Sequence, residues 1–168
     1  NQAHGPGSFV GGGGWNAASG PNSVIGGGAY NQAEREEAAV GGGNSNQASG
    51  RWSVVAGGAA NVAGSAGFLG CCSQDYAAVG GGDHNGATGF WATIPGGLEN
   101  SADGTASFAA GRGANAFSDG SFVWASSPTG APWASIPTAS IAASVPRPSV
   151  ISRIVSEMSS CSSRSSRP

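Results

Sequence analysis

The side chains able to act as nucleophiles, bases or metal ligands are few in this sequence, and their spacing brings none of them together. His4 and His84 are 80 positions apart, and no Asp or Glu recurs beside them in register. Zinc or a related metal needs three or four converging ligands. Cys71 and Cys72 are adjacent and Cys161 is remote, so there is no C-x-x-C pair and no ligand spacing to either histidine. Adjacent cysteines rarely bridge each other, because disulfide geometry strains the peptide between them. Serine is abundant, yet no His–Asp set accompanies it as a nucleophile requires. The glycine runs lack both G-K-[ST] and a G-x-G-x-x-G between strand and helix, which reads them as turns rather than phosphate loops. The four aspartates show no G-G-x-G-x-D register, which disfavours a calcium-binding solenoid. The expectation is a chain with no catalytic site, no metal and no cofactor.

Composition narrows the elements that could carry any other function. Thirty-one glycines, no lysine and 10% charged residues are odd for an enzyme of 168 residues. Leucine occurs only at Leu69 and Leu98, so a core of large aliphatics cannot be assembled. Glycine without a strict period of three excludes collagen, and so low a charge argues against expanded disorder. A net charge of −2, with eight carboxylates against Arg35, Arg51 and Arg112 in residues 1–125, gives no reason to expect nucleic acid. No apolar run of 18 residues is present, so no membrane insertion by this chain is expected. Without an initiator Met or signal peptide, the sequence reads as a mature product or a fragment.

Internal periodicity decides the fold class. Asparagine recurs at 1, 16, 31, 46, 61, 85, 100 and 115, at intervals of 15 except for one of 24. The nine extra residues fall between Asn61 and Ala77, too few for a further coil, and should loop out with Cys71 and Cys72 on the loop or at its base. Two positions after each asparagine from Asn1 to Asn100 lies alanine, as in Ala18, Ala33 and Ala48. Nine positions after it, allowing for the insertion before Val79, lies a β-branched column, Val10, Ile25, Val40, Val55, Val79 and Ile94, then Ala109, with Val123 one place early. The column before that runs Phe9, Val24, Ala39, Val54, Ala78, Thr93 and Phe108, preceded by a column of Ser or Ala. Fifteen glycine-rich residues cannot hold a helical hairpin, but they suit two short strands and two tight turns. Stacked coils would pair like positions about 4.8 Å apart, so eight would span roughly 38 Å.

The two strands of each coil differ. In the asparagine strand, Ala alternates with Gln2, Gln32, Gln47 or Ser101, giving one wet face. In the valine strand, two consecutive columns are apolar, so both faces ask for burial. Val10, Ile25, Val40, Val55, Val79 and Ile94 are assigned to the coil core. Phe9, Val24, Val54 and Phe108 would then form an apolar stripe that needs a partner outside the coil, and oligomerisation through that face supplies it. Trp52 and Trp91 share one turn column and Phe90 adjoins the second. Two readings stand side by side for them: a candidate ligand-contact surface, or packing onto the adjacent coil or chain. The acidic turn of Glu34, Glu36 and Glu37, with Arg35, reads as a solvated turn or as a patch for a basic partner.

The template N-x-A-x-G-x-x-S-x-V-x-G-G resembles the head repeats of trimeric autotransporter adhesins (YadA-like heads). The stretch SFAAGRGANAFSDGSFVWA, residues 107–125, is similar to terminal repeats of related bacterial and phage surface proteins. The resemblance covers roughly residues 1–125. It implies a left-handed parallel β-roll, a homotrimer, and exposure at a cell or virion surface. It also implies attachment to an extracellular-matrix protein, a glycan or another surface ligand.

Residues 126–168 depart from that pattern, with one Gly, six Pro and fourteen Ser. They read as a Ser/Pro/Arg-rich tail, a stump of a stalk or an out-of-frame translation. A short helix at 149–158 is suggested by Ile151, Ile154, Val155 and Met158. The fold expectation is therefore all-β, a solenoid of about eight coils assembled as a trimer, with an irregular tail. The functional expectation is a non-enzymatic, extracellular structural or adhesive head. A filament or phage-fibre spacer is the second reading. An ice-binding solenoid is the third, although Thr88, Thr93 and Thr105 never repeat within one column.

Overall fold

Each 15-residue unit offers β-branched or alanine residues at two sites and turn formers between them, and each closes one coil. In a computed structural model, described for residues 1–65, 75–125 and 139–141, the coils stack into a parallel β-solenoid. Strands of two residues repeat along the chain, from Gln2–Ala3 and Phe9–Val10 onward. The first of each pair builds an eight-stranded asparagine sheet ending at Asn115–Ala116; the second builds a ten-stranded valine sheet. Register is kept by like-on-like pairing: Ala18 sits on Ala33, Val24 on Ala39, and Ile25 on Val40. Eight coils of about 15 residues result, with no helix among the described residues.

The two sheets face each other across a thin core. The alanines of the asparagine sheet (Ala18, Ala33, Ala48, Ala63, Ala87, Ala102 and Ala116) are fully buried against Ile25, Val40, Val55, Val79 and Ile94, which are 0–1% exposed. Val10, in the end coil, is half-buried. A third ladder, which a two-strand coil does not anticipate, runs along one edge. It bridges Gly14, Ala29, Asn44, Ala59, Asp83 and Leu98 in turn. The cross-section therefore has three sides rather than two.

The recurring asparagine is a buried spine. Asn16, Asn31, Asn46, Asn61, Asn85 and Asn100 are at most 2% exposed. The Nδ2 of Asn61 donates to Oδ1 of Asn46, to Gly57 O and to Gly82 O, at 2.9 to 3.1 Å. The Asn46 Oδ1 also accepts from the backbone N–H of Asn61. Two amide protons are thus shared among three acceptors and both lone pairs are used, so the buried amide carries no orphan group. The same set repeats at Asn31 and Asn85.

That spine requires glycine three positions before each asparagine. Gly43 has φ +89, and a Cβ there would lie 2.1 Å from Gly58 O and 2.7 Å from Asn46 Nδ2. Glycine supplies few of the other corners, such as Gly7, Gly113 and Gly120; among the described residues twelve non-glycine residues have positive φ, including Trp15, Tyr30, Glu37, Trp52, Tyr76, His84 and Trp91. They hold this left-handed conformation because each N–H after the first coil is tied to the coil before, as in Trp52 N–H to Glu36 O and Tyr76 N–H to Arg51 O.

Two irregularities are resolved by register. The strand Val62–Ala63 pairs directly with Gly86–Ala87, and Val54–Val55 with Ala78–Val79, so the long interval adds no coil. Residues 66–74, with Cys71 and Cys72, lie outside the described residues. At the far end, Asn115 is not a spine residue, contrary to the count of eight. Asn115 pairs with Ser101, and it is the Ala114 N–H that bonds Asn100 Oδ1. The seventh coil is one residue short: Phe108 pairs with Thr93 at an offset of 15, but Gly111 pairs with Gly97 at 14. A continuous strand, Phe108–Arg112, replaces the usual break. The shift explains why Val123 stands one place early, since Val123 pairs with Ala109.

Three described residues lie beyond the boundary expected at residue 125. Ala139–Ile141 forms an antiparallel strand against Phe122–Ala125. The rest of the expected tail, including the helix at 149–158 and Cys161, lies outside the described residues.

Candidate functional site

The largest exposed apolar feature is the outer face of the valine sheet. Strand alternation sends Ile25 and its column inward and sends Val24 and its column outward. In the single chain Phe9 is 58% exposed, Val24 41% and Val54 43%. The single chain thus buries the inner face of this strand and leaves the outer one uncovered. Pairing places Phe9, Val24, Ala39, Val54, Ala78, Thr93, Phe108 and Phe122 in one continuous row. The row is bulky at its ends and narrow in its middle. Phe108 is half-buried because its ring stacks on Phe122 at 4.6 Å and 7°.

Phe122 and Trp124 extend this face and were not assigned from the sequence. Both are exposed, and alternation along Phe122–Ala125 puts them on the same side. The early position of Val123 was the available signal: resetting the register by one residue brings Phe122 under Phe108.

A second apolar feature lies at the corner that follows the asparagine strand. Trp52 stacks on Tyr76 with ring centroids 4.9 Å apart and 11° between planes, and Tyr76 on Trp91 at 6.2 Å and 21°. Phe90 leans on Trp91 at 5.8 Å and 52°. The aromatics therefore pack onto adjacent coils, one of the two sequence readings, while Tyr76 and Trp91 remain about half exposed. Tyr76 completes the ladder and was missed. It lies 24 residues after Trp52, the same interval that separates Asn61 from Asn85. A smaller pair, Trp15 on Tyr30, occupies the corner before the asparagine strand.

The two histidines and most of the acidic side chains lie dispersed toward the outside, Asp75 being buried. His4 contacts Gln2 through Nε2 at 3.2 Å on the first coil. His84 does have a carboxylate beside it, since its Nδ1 lies 2.7 Å from Asp83 Oδ1, but the pair is well exposed and contributes little. Asp103 accepts from the Thr88 and Ser101 hydroxyls on the wet face of the asparagine sheet. In the acidic turn, Glu34 accepts from Gln47 Nε2, while Glu36 and Glu37 are exposed. Among the described residues no three His, Cys, Asp or Glu side chains gather as a metal-binding group.

No protein-family model matches the chain, and no curated protein matches it.

Proposed function

We propose that this chain is a non-enzymatic structural and adhesive module that works as a homotrimer on a cell or virion surface. The outer face of the valine sheet would form the contact between chains. The observation that carries this reading is the unbroken row from Phe9 to Phe122, which repeats at every coil and in the single chain is exposed at Phe9, Val24, Val54 and Phe122 and half-buried between them. Eight coils give it a length of roughly 38 Å, more than the scattered apolar residues a monomer usually shows. Three-fold closure covers such a face on every copy and leaves no surface on which further copies add. The trimer would display the wet asparagine sheet and the corner aromatics outward, where a matrix protein, glycan or other surface ligand could be met.

The spacer reading draws on one observation. The facing ring planes of Trp52, Tyr76 and Trp91 are spent on one another, as in a part built for stiffness rather than contact. Light scattering tests the assembly: the expected mass is three times the 16.2 kDa chain, and a concentration-independent monomer would overturn it. Surface-binding assays with Trp52→Ala and Trp91→Ala separate the adhesive reading, in which binding falls, from the spacer, in which no binding is seen to begin with.

A further inference from the structure

Nothing in the packing of the asparagine sheet accounts for Gly86. It stands directly after a spine asparagine, where other coils carry Gln2, Ala17, Gln32, Gln47, Val62 and Ser101. Its φ lies outside the left-handed region, and a Cβ there would meet no atom within 4 Å. A glycine in a strand loses more conformational freedom on folding and packs no side chain, so it weakens the pairing it joins. What it changes is the chemistry of its neighbour. Asn85 and Gly86 form the one Asn–Gly pair of the sequence, and it falls inside the buried spine.

In an Asn–Gly pair the peptide nitrogen of the glycine can attack the asparagine carboxamide, because no Cβ hinders its approach. A bond forms between Gly86 N and Asn85 Cγ, Nδ2 leaves as ammonia with the peptide proton, and a five-membered succinimide remains. Water then opens the ring. Cleavage at Cγ leaves Asp, and cleavage at the main-chain carbonyl leaves isoaspartate, whose backbone runs through the former side chain. The stacked coil blocks every part of this reaction. Asn85 Nδ2 donates to Asn61 Oδ1, Gly81 O and Gly97 O at 2.9 to 3.0 Å. Its Oδ1 accepts from both the backbone and the side-chain nitrogen of Asn100. The Gly86 N–H donates to Asn100 O at 2.8 Å. The carboxamide therefore cannot swing over the peptide that follows it, the attacking nitrogen is engaged, and at 1% exposure Asn85 is shielded from water.

We propose that Asn85 is a conformationally gated modification site, closed while its coil is stacked and open to succinimide formation whenever that coil opens. Neither product can return to the spine. Ionised Asp has no proton to donate to Gly81 O and Gly97 O. Isoaspartate adds a methylene to the backbone, which takes Ala87 out of register with Ala63 and Ala102. A prolonged opening of this coil thus becomes irreversible, and the chain carries a chemical record of it. The proposal is independent of the trimer and of any ligand, because Asn85 and all its partners lie inside one chain.

The test uses the full chain and its Gly86→Gln variant at mildly alkaline pH, with a thiol reductant present so that cysteine oxidation does not contribute. Conversion at residue 85 is read by peptide mass in native buffer and in denaturant. In the wild-type chain it should be slower by about 100-fold or more in the folded state. The β-rich circular dichroism signal regained on dilution should fall with time held in denaturant, in step with conversion. In Gly86→Gln that fall should be largely absent. Glutamine already stands at this position in three other coils, so the variant should fold. If it does not, the two wild-type rates still decide. Equal conversion in the folded and denatured states overturns the proposal. So does full recovery of the β signal by chains converted at residue 85, or the same loss with time in Gly86→Gln.

Discussion

The asparagine spine and the outer row of the valine sheet are both built by one residue per coil at the same 15-residue interval, yet they solve opposite problems. The spine is polar and fully buried, and every one of its donors and acceptors is met inside the chain. The outer row is apolar and exposed, and what it lacks is covering from outside. The spine therefore specifies how coils stack within one chain, whereas the row leaves surface for contact between chains. A change in the spine should act on folding, and a change in the row on assembly.

The largest expected effect comes from Asn46→Asp. A carboxylate cannot donate to Gly42 O and Gly58 O, and it puts a charge in the least hydrated part of the coil. The destabilisation expected at neutral pH is about 3–5 kcal/mol or more. Burial among carbonyl oxygens raises the pKa of the introduced carboxyl above its unfolded value of about 3.9. The unfolded state then loses the proton first as pH rises. The deficit should accordingly grow upward from that pH, level off above the folded pKa, and shrink on acidification. Denaturant melts across pH check this; a deficit insensitive to pH would mean the carboxyl is not buried. Gly43→Ala should disrupt the same coil sterically.

Next comes the pair Val24→Asp and Val54→Asp, the converse of the spine variant. The outward side chains leave the coil interior untouched, so the β-rich circular dichroism spectrum should persist. Light scattering should change from the mass of the proposed trimer to that of the monomer, because three carboxylates per layer would meet at the proposed contact. Loss of the β signal along with assembly would show that the row also holds the single chain together, and the contrast with the spine would fail.

Tyr76→Ala should have a moderate effect, about 0.5–1.5 kcal/mol for each of the two ring contacts it removes, read in thermal melts with the trimer intact. Excision of residues 66–74 restores a 15-residue coil between strands already paired in register, so the melting temperature should change little. An unfolded product would show that the insertion supports the coil. The smallest effect expected is a gain: Ala60→Gly should relieve a left-handed corner, φ +52, and stabilise by up to about 1 kcal/mol. A loss there would mean that glycine's added freedom in the unfolded chain outweighs the relief.

Sequence periodicity alone determined the fold class, the coil length, the inward column from Val10 to Ile94 and the outward column beside it. It could do so because, in a stacked solenoid, a residue interval is a spatial repeat, and strand alternation assigns the faces. Other features needed the tertiary structure, because they depend on contacts between coils that a column of letters does not contain. Asn16 through Asn100 were visible as a repeat, but that they are buried, and why, follows only from the carbonyls of the glycine turns above and below. The left-handed corners at Trp52 and Tyr76 exist because the neighbouring coil holds their N–H groups. Asn115 was misplaced by counting because a one-residue deletion inside Phe108–Arg112 can be absorbed by a straightened turn. Backbone pairing alone locates that adjustment, since side-chain identity on either side of it is nearly unchanged.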